Sequence, residues 1–512
     1  MPKRADSTLP RRPQISRALP PIVACALLLV AGSSPAAAGT AVAAPQVPAA
    51  AAPAAVVPAA PVVDPAVLDR IREAAMASNW AWQHLADLTD KIGPRLSGSP
   101  QDAAAVAQLA AALRATGAAV RLQPVKVPHW VRGNEQAELL TYPGQPAGIR
   151  PTLHLTALGD TSATPPGGLN ARVLVIHDFA ELKARAADVR GNIVYFASVF
   201  DQALADGGQA SAAYGQAGAY RFTGPSAAAE LGAAAVLLRS IGGANYRLPH
   251  TGVTIWKDGQ ARIPAAALAA EDGDLIARLA AQGPVDMKLV LTPQILPDAD
   301  GANVIADWPG REKADEVVIV SGHLDSWDLG TGASDDGTGV IGAAAVIDVL
   351  RQLDLHPRRT IRFIAWANEE NGSRGSKAYA ASVAESLALQ TAAIESDSGA
   401  GHAMGINAAV SARTLAMLKP VGIALQPLGA GVVHREAAQL GADIGPLQED
   451  GVPGFSPLVD HSHYFDYHHT AADTLDKVDP QSLRAQVAVM AVLAYFLAEL
   501  PEPLPRIVLT ED

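Results

Sequence analysis

Cysteine is nearly missing from this chain. Its 512 residues contain one, Cys25, and that one lies in an N-terminal apolar segment. Without that segment the protein has no thiol, which excludes a disulfide framework and any thiolate metal site. A bound transition metal would have to be held by His, Asp and Glu. A basic surplus is missing too. The formal charge is −12, and residues 1–38 carry five basic and one acidic residue (+4), so the remainder stands near −16. No nucleic-acid partner is expected, because that role needs a basic face. Long apolar runs are also scarce. Only the N-terminal stretch could enter a membrane, and Ile22 to Val30 is too short to span one. No internal repeat is visible.

That N-terminal stretch reads as an export signal. Lys3, Arg4, Arg11, Arg12 and Arg17 form a basic start, the short apolar run follows, and Ser34-Pro-Ala-Ala-Ala38 offers small residues for cleavage. Arg11-Arg12 hints at the twin-arginine route, but no Phe-Leu-Lys follows, which favours the general secretory route. Cys25 precedes the end of the apolar run and is poorly placed for a lipid anchor. The expectation is a signal peptide over 1–38 and an exported protein, periplasmic or secreted, with no stable membrane span after removal of the signal. An Ala/Pro/Val-rich linker is expected over 39–64.

Nearly half the residues are apolar and the chain is long enough for more than one domain. Helical spacing of Leu68, Ile71 and Ala75, and the helix-forming run Ala103 to Leu113, place helices in 65–128. From 129 to 293 the texture changes to short strands, such as Arg172–Ile176 and Asn192–Phe196, between Gly/Pro loops and an Ala-rich helix near Ala227–Leu231. This segment is expected to be an inserted β-rich domain. From 294 to 505 the pattern is βαβ: a strand at Val317–Ser321, a helix at Val340–Leu350, strands at Ile361–Trp366 and Ala392–Ser396, and a last helix at Pro480–Leu497. The fold class is therefore α/β, an open, mostly parallel sheet flanked by helices. Ligands bind such sheets beyond the carboxyl ends of the strands.

Those strand ends carry the chemistry. His323 and Asp325 follow one strand, Glu369 and Glu370 the next, Asp397 a third, while Asp335-Asp336-Gly and His469 lie in loops. Taken singly, each has an ordinary explanation: an Asx turn for Asp335-Asp336-Gly, a helix cap for Asp397, a solvated loop for the glutamates. Together and in this order they suit two zinc ions and a general base. Zinc lowers the pKa of a coordinated water to roughly 7 and polarises a carbonyl, and two such ions about 3.5–4 Å apart can share a ligand. Of two adjacent glutamates, one can bind metal while the other moves a proton.

The motifs Ser321-Gly-His-Leu-Asp-Ser-Trp-Asp328 and Gly330-Thr-Gly-Ala-Ser-Asp-Asp-Gly337 resemble those of the zinc aminopeptidase and glutamate carboxypeptidase family. Ile92-Gly-Pro-Arg-Leu-Ser-Gly-Ser99, Val127-Pro-His-Trp130, Pro249-His-Thr-Gly252, Glu395-Ser-Asp397 and Gly451-Val-Pro-Gly454 extend the likeness from about Trp80 to Leu500. The resemblance implies that His323 and Asp397 bind one zinc, Glu370 and His469 the other, and that Asp335 bridges them. It implies Glu369 as general base and acid, Asp325 orienting His323, and Asp336 shaping the loop behind Asp335. It further implies that the insert is a protease-associated domain lidding the cleft, and that the protein is a homodimer.

Many relatives have Tyr before the last His ligand, where its hydroxyl stabilises the oxyanion. Here that position is His468, so the role is shared among three candidates, His468, Tyr464 and Tyr467, with packing as the other reading of His468. His461, His463 and Asp460 stay open between substrate contact and packing. Trp327 and Asp328 read as loop structure at the cleft mouth, and His402 as a surface residue. The implied activity is a dizinc exopeptidase acting on dipeptides or short peptides with free termini. Its alternatives are an aminopeptidase on longer peptides, a one-zinc enzyme of the glutaminyl cyclase kind, and an inactive binding ectodomain.

Overall fold

The computed structural model describes residues 63–507. The export segment, Cys25 and all of the linker before Val63 lie outside the described residues. Three helices open the described chain: Pro65–Ala77, Trp80–Lys91 and Pro100–Ala115. The first and third begin on a proline, which needs no helical donor, behind a side-chain cap. Asp64 accepts from the amide of Ala66, and Ser99 Oγ from that of Asp102.

The larger body is built on an eight-stranded mixed sheet. Its order is Ala119–Val131, Gln294–Trp308, Arg359–Trp366, Lys313–His323, Gln390–Glu395, Gly454–Val459, Ala403–Ala409 and Val432–Arg435. The central strands are parallel. Val318 pairs with Ile361 on one side and Ala392 on the other, and every residue from Val317 to His323 is buried. Such continuous apolar strands need cover on both faces. Helices Thr338–Gln352 and Pro480–Glu499, with the first helices, cover one face; Tyr379, Val383, Ile444 and Leu447 lie on the other. Pro480–Glu499 is long and apolar enough to cross a membrane, but it packs on Pro65–Ala77 and Thr338–Gln352 as a core helix.

A second eight-stranded sheet occupies residues 135–291. Val131 pairs with Gln294, so the chain leaves and re-enters the first sheet at neighbouring positions. The inserted segment holds more helix than its β-rich texture suggests. Ala210–Phe222 and Ala270–Ala280 flank a parallel centre made of Leu169–Ile176, Ile193–Phe196, Ala235–Arg239 and Ala265–Leu268. Ala, Gly and short apolar runs there satisfy either period, which hid the helices from pattern reading.

Candidate metal centre

Three parallel strands bring the site together. His323 ends its strand opposite Trp366, and Glu369 and Glu370 follow Trp366 through a turn in which Asn368 has φ 67°. Ser321 pairs with Glu395, two residues before Asp397. Asp335 and Asp336, joined by a cis peptide, open helix Thr338–Gln352. Buried Asp336 accepts from the His323 amide through Oδ2 (3.0 Å) and from the Gly339 amide through Oδ1 (3.0 Å), tying strand end to helix start. A Cβ on Gly339 would lie 1.9 Å from the Ser396 carbonyl oxygen, so only glycine permits this approach.

All five sequence-predicted ligands meet. His323 Nε2 lies 3.3 Å from Asp335 Oδ1 and 3.6 Å from Asp397 Oδ1. His469 Nε2 lies 3.0 Å from Glu370 Oε2 and 3.1 Å from Asp335 Oδ2. The two groups, His323/Asp335/Asp397 and Asp335/Glu370/His469, share Asp335.

The arrangement fits metal. His323 Nδ1 faces the Asp325 carbonyl at 3.0 Å, and His469 Nδ1 faces the Thr251 carbonyl at 3.3 Å. Donating Nδ1–H to each carbonyl turns both Nε2 lone pairs toward the carboxylates. Lone pairs facing each other at such distances call for a cation between them. Asp335 Oδ2 is buried and has no hydrogen-bond partner among the described residues, which agrees. Imidazole and carboxylate donors suit zinc.

The electrostatics are those of a buried, carboxylate-rich pocket. Without metal, burial by itself lowers His323, but hydrogen bonding of the protonated ring to Asp335 and Asp397 outweighs it and lifts the imidazole well above its usual range, a proton taking the place of the cation. Burial, then the Asp335 charge, pushes Glu370 up to about 7. Burial raises Glu369 well above a normal carboxyl, with Asp397 and Glu370 adding to it against the pull of His323. Burial, reinforced by His469, drives His468 well below a normal imidazole.

Other residues fall in unexpected places. The Asp325 carboxylate is 3.9 Å from His323 Nδ1, so the main-chain carbonyl, not the acid, orients that ring. Its oxygens instead accept from the Glu369 amide (3.1 Å) and Ser97 Oγ (2.9 Å). Trp327 is more than loop: its amide donates to Glu370 Oε1 (3.2 Å), and its ring packs near His469. Asp328 pairs with Arg132. His468 stacks on His469, with Nε2 3.3 Å from Asp335 Oδ2 and Nδ1 3.2 Å from His250 Nε2. Tyr464, Glu369 and His461 line the cleft. His463, Asp460 and His402 are exposed, and His463 pairs with Asp466.

Sequence reading missed several residues. Asp473 accepts from the amides of Ser334 (2.8 Å) and Asp335 (3.1 Å); its position four residues after His469 was the available clue. His250, Thr251, Arg221 and Tyr214 come from the insert and back the His468–His469 pair. Only Pro249-His-Thr-Gly252 had stood out, without a role.

Residues 303–494 match the sequence profile of Peptidase family M28. Carboxypeptidase Q of Bos taurus is 37% identical over 435 residues, covering 84% of this chain and 88% of that protein. The chain belongs to peptidase family M28. Carboxypeptidase Q of Homo sapiens is 36% identical over 437 residues, with the same coverage. The crystal structure of an M28 peptidase precursor from Shewanella amazonensis is 36% identical, with a TM-score of 0.81 over 86% of this chain and 98% of that one. A zinc aminopeptidase from Bacillus subtilis shares the fold at 19% identity, with a TM-score of 0.61 over 85% of this chain and 98% of that one. This M28 protein is a zinc metallopeptidase, and the resemblance read from its motifs holds over 84% of the chain.

Proposed function

We propose that this M28 peptidase is an exported dizinc exopeptidase for dipeptides or short peptides with free termini. The observation that carries the reading is the pair of ligand groups sharing Asp335, with Glu369 beside them in the cleft. His323 and Asp397 would hold one ion and Glu370 and His469 the other, with Asp335 available to both. When bound, zinc polarises the scissile carbonyl and acidifies a water molecule. Glu369 takes the proton from the attacking water at its carboxylate and hands it to the departing amine. The Asp325 carboxylate holds the Glu369 amide, and Asp473 holds the turn that presents Asp335. Both His468 nitrogens face protein groups, which supports a bracing role against Asp335. Tyr464 lines the cleft with its phenol raised by burial, so it stays protonated and supplies the hydrogen bond to the oxyanion.

The insert supports a free carboxyl end on the substrate. Arg221 is 2% exposed and lines the cleft. Its Nη1 donates to Tyr214 OH and to the Thr251 carbonyl, whereas Nε is buried without a partner. No carboxylate among the described residues pairs with it. Nη2 makes no hydrogen bond among the described residues, which leaves this donor for a substrate carboxylate. The cleft of about 680 Å³ has room beyond one dipeptide. That volume favours the second reading, an aminopeptidase on longer peptides. The presence of every ligand type and the base weighs against a binding ectodomain, and the shared Asp335 against a single zinc. The homodimer and the protease-associated character of the insert rest on the family likeness.

One panel tests the proposal: a free dipeptide, its N-acetyl form, its C-terminal amide and a longer peptide, each with zinc, beside Glu369→Gln, Tyr464→Phe and His468→Ala. Rapid cleavage of the free dipeptide alone is expected, with the C-terminal amide cut only slowly. Glu369→Gln should lose about 10²–10⁴-fold in turnover with its zinc retained, Tyr464→Phe should lose turnover, and His468→Ala should keep most of it. Stepwise shortening of the longer peptide from its N-terminus would replace the dipeptidase reading by the aminopeptidase one.

A further inference from the structure

The loop Ile92 to Ser99 has no part in the chemistry described so far, yet it is wedged behind the site. Arg95 is fully buried. Its guanidinium donates to the carbonyls of Leu324, Thr331 (2.7 Å) and Gly332 (2.9 Å), which fixes the loop between the strand end at His323 and the turn at Asp335. Its amide donates to Ser326 Oγ at 3.2 Å. Two residues on, Ser97 is 1% exposed and spends its hydroxyl on Asp325 Oδ2 at 2.9 Å. Asp325 is wholly buried and spends its other oxygen on the Glu369 amide at 3.1 Å.

A carboxylate held at both oxygens is fixed in rotation as well as position. Without the Ser97 hydroxyl, Asp325 could turn about its last torsion, a soft one, and its grip on the Glu369 amide would loosen. That amide sits in a turn entered through Asn368 at φ 67°, the left-handed region that Asn enters more readily than other non-glycine residues. A misplacement of about 1 Å in a catalytic group can cost about 10²-fold.

We infer that Ser97, acting through the Asp325 carboxylate, is a positioning residue for Glu369, and that Ser97 and Asp325 serve the base rather than the imidazole of His323. The inference rests on the proposed role of Glu369. It separates two jobs within one residue: the main-chain carbonyl of Asp325 orients His323, and its side chain aims the base.

The experiment is a double-mutant cycle in the full zinc-loaded enzyme, with kcat, KM, zinc per chain and melting temperature read for each variant. Ser97→Ala should lower kcat about 10–100-fold, with KM and bound zinc unchanged. Ser97→Thr, which keeps the hydroxyl, should restore most of the loss. In a Glu369→Gln background Ser97→Ala should cost nothing further, because its only route of action is gone. If Ser97→Ala does not fold, Ser97→Cys, a weaker donor of similar size, takes its place with a smaller expected loss. Full turnover in Ser97→Ala beside an inert Glu369→Gln overturns this inference alone. Zinc lost in step with activity also overturns it, by placing the effect on His323. Undiminished turnover in Glu369→Gln removes the base itself and overturns both readings.

Discussion

The two walls of the cleft are built on different plans. The floor is the carboxyl edge of a buried parallel sheet. His323, Glu370 and Asp397 project from strand ends whose backbones are locked by neighbours on both sides, and the wall is rich in carboxylates. The roof, from the insert, presents Arg221, Tyr214, Phe222, Ile255 and Trp256, a cationic and aromatic surface on helix and loop. Rigid strand ends can hold several charged groups to within a few tenths of an ångström, which chemistry needs. Helix and loop change more readily without disturbing that frame, which suits substrate selection. The floor should therefore govern whether the enzyme turns over at all, and the roof what it accepts.

The strongest way to break this division is to remove the ligand common to both groups. Asp335→Asn replaces a carboxylate that approaches three imidazoles. Its expected outcome is no detectable turnover on any substrate and loss of bound zinc, well beyond the roughly 10–100-fold cost of losing an outer partner. Added zinc should then no longer raise the melting temperature, as it should for the unaltered enzyme through binding to the folded state. Stoichiometric zinc in Asp335→Asn would mean that the two groups do not depend on a shared ligand.

The roof gives the next largest effect, and one of a different kind. Arg221→Gln should raise KM for a free dipeptide about 10²-fold, the loss of a buried charge-assisted pair. It should leave the slow cleavage of the C-terminal amide nearly unchanged. Equal losses on both substrates would assign Arg221 to the support of His469, 3.4 Å from its Nη1, and return the roof to a structural role.

The same contrast explains what was legible before the structure. Floor residues announced themselves because each follows a continuous apolar strand, and a polar group placed after such a run has few ordinary reasons to be there. Their convergence required only that the strands be parallel. Arg221 gave no such sign. It lies in Ala210–Phe222, an Ala/Gly-rich helix whose weak apolar stripe does not say which face is buried. Asp325 was found for the wrong reason. Its spacing from His323 suggested a carboxylate–imidazole pair, but sequence cannot say whether a side chain or its own carbonyl reaches a ring. Ser97 and Arg95 sit in a turn-rich motif whose partners lie more than two hundred residues away. The insert read as strands because short apolar segments between glycines look alike in either conformation.

The excess negative charge of the floor has a cost that reaches outward to Asp102, in the first turn of helix Pro100–Ala115, and this is the smallest effect expected. Asp102 is buried, and burial together with the Asp325 charge pushes it up to about 7, against the Gly98 amide and Arg95, which lower it. An acid whose pKa is higher folded than unfolded binds its proton more tightly in the folded state. Its contribution to stability is therefore greatest at low pH and falls as the pH rises from the unfolded value of 3.8 toward about 7. The full fall is a few kcal/mol at most, at about 1.4 kcal/mol for each tenfold change in proton affinity. Asp102→Asn keeps an oxygen for the Gly98 amide but carries no charge. Unfolding free energies of the two proteins, measured between about pH 5 and 8, should diverge as the pH rises, with Asp102→Asn becoming the more stable by about 1–3 kcal/mol. Titrating groups that do not interact with Asp102 act alike in both proteins and drop out of the difference. Parallel profiles would mean that Asp102 is not raised at all, because burial separates the curves by itself; a divergence that only narrows would report loss of the Asp325 part. Measuring the pair with zinc and after chelation turns that outcome into a gauge of how much floor charge the metal cancels.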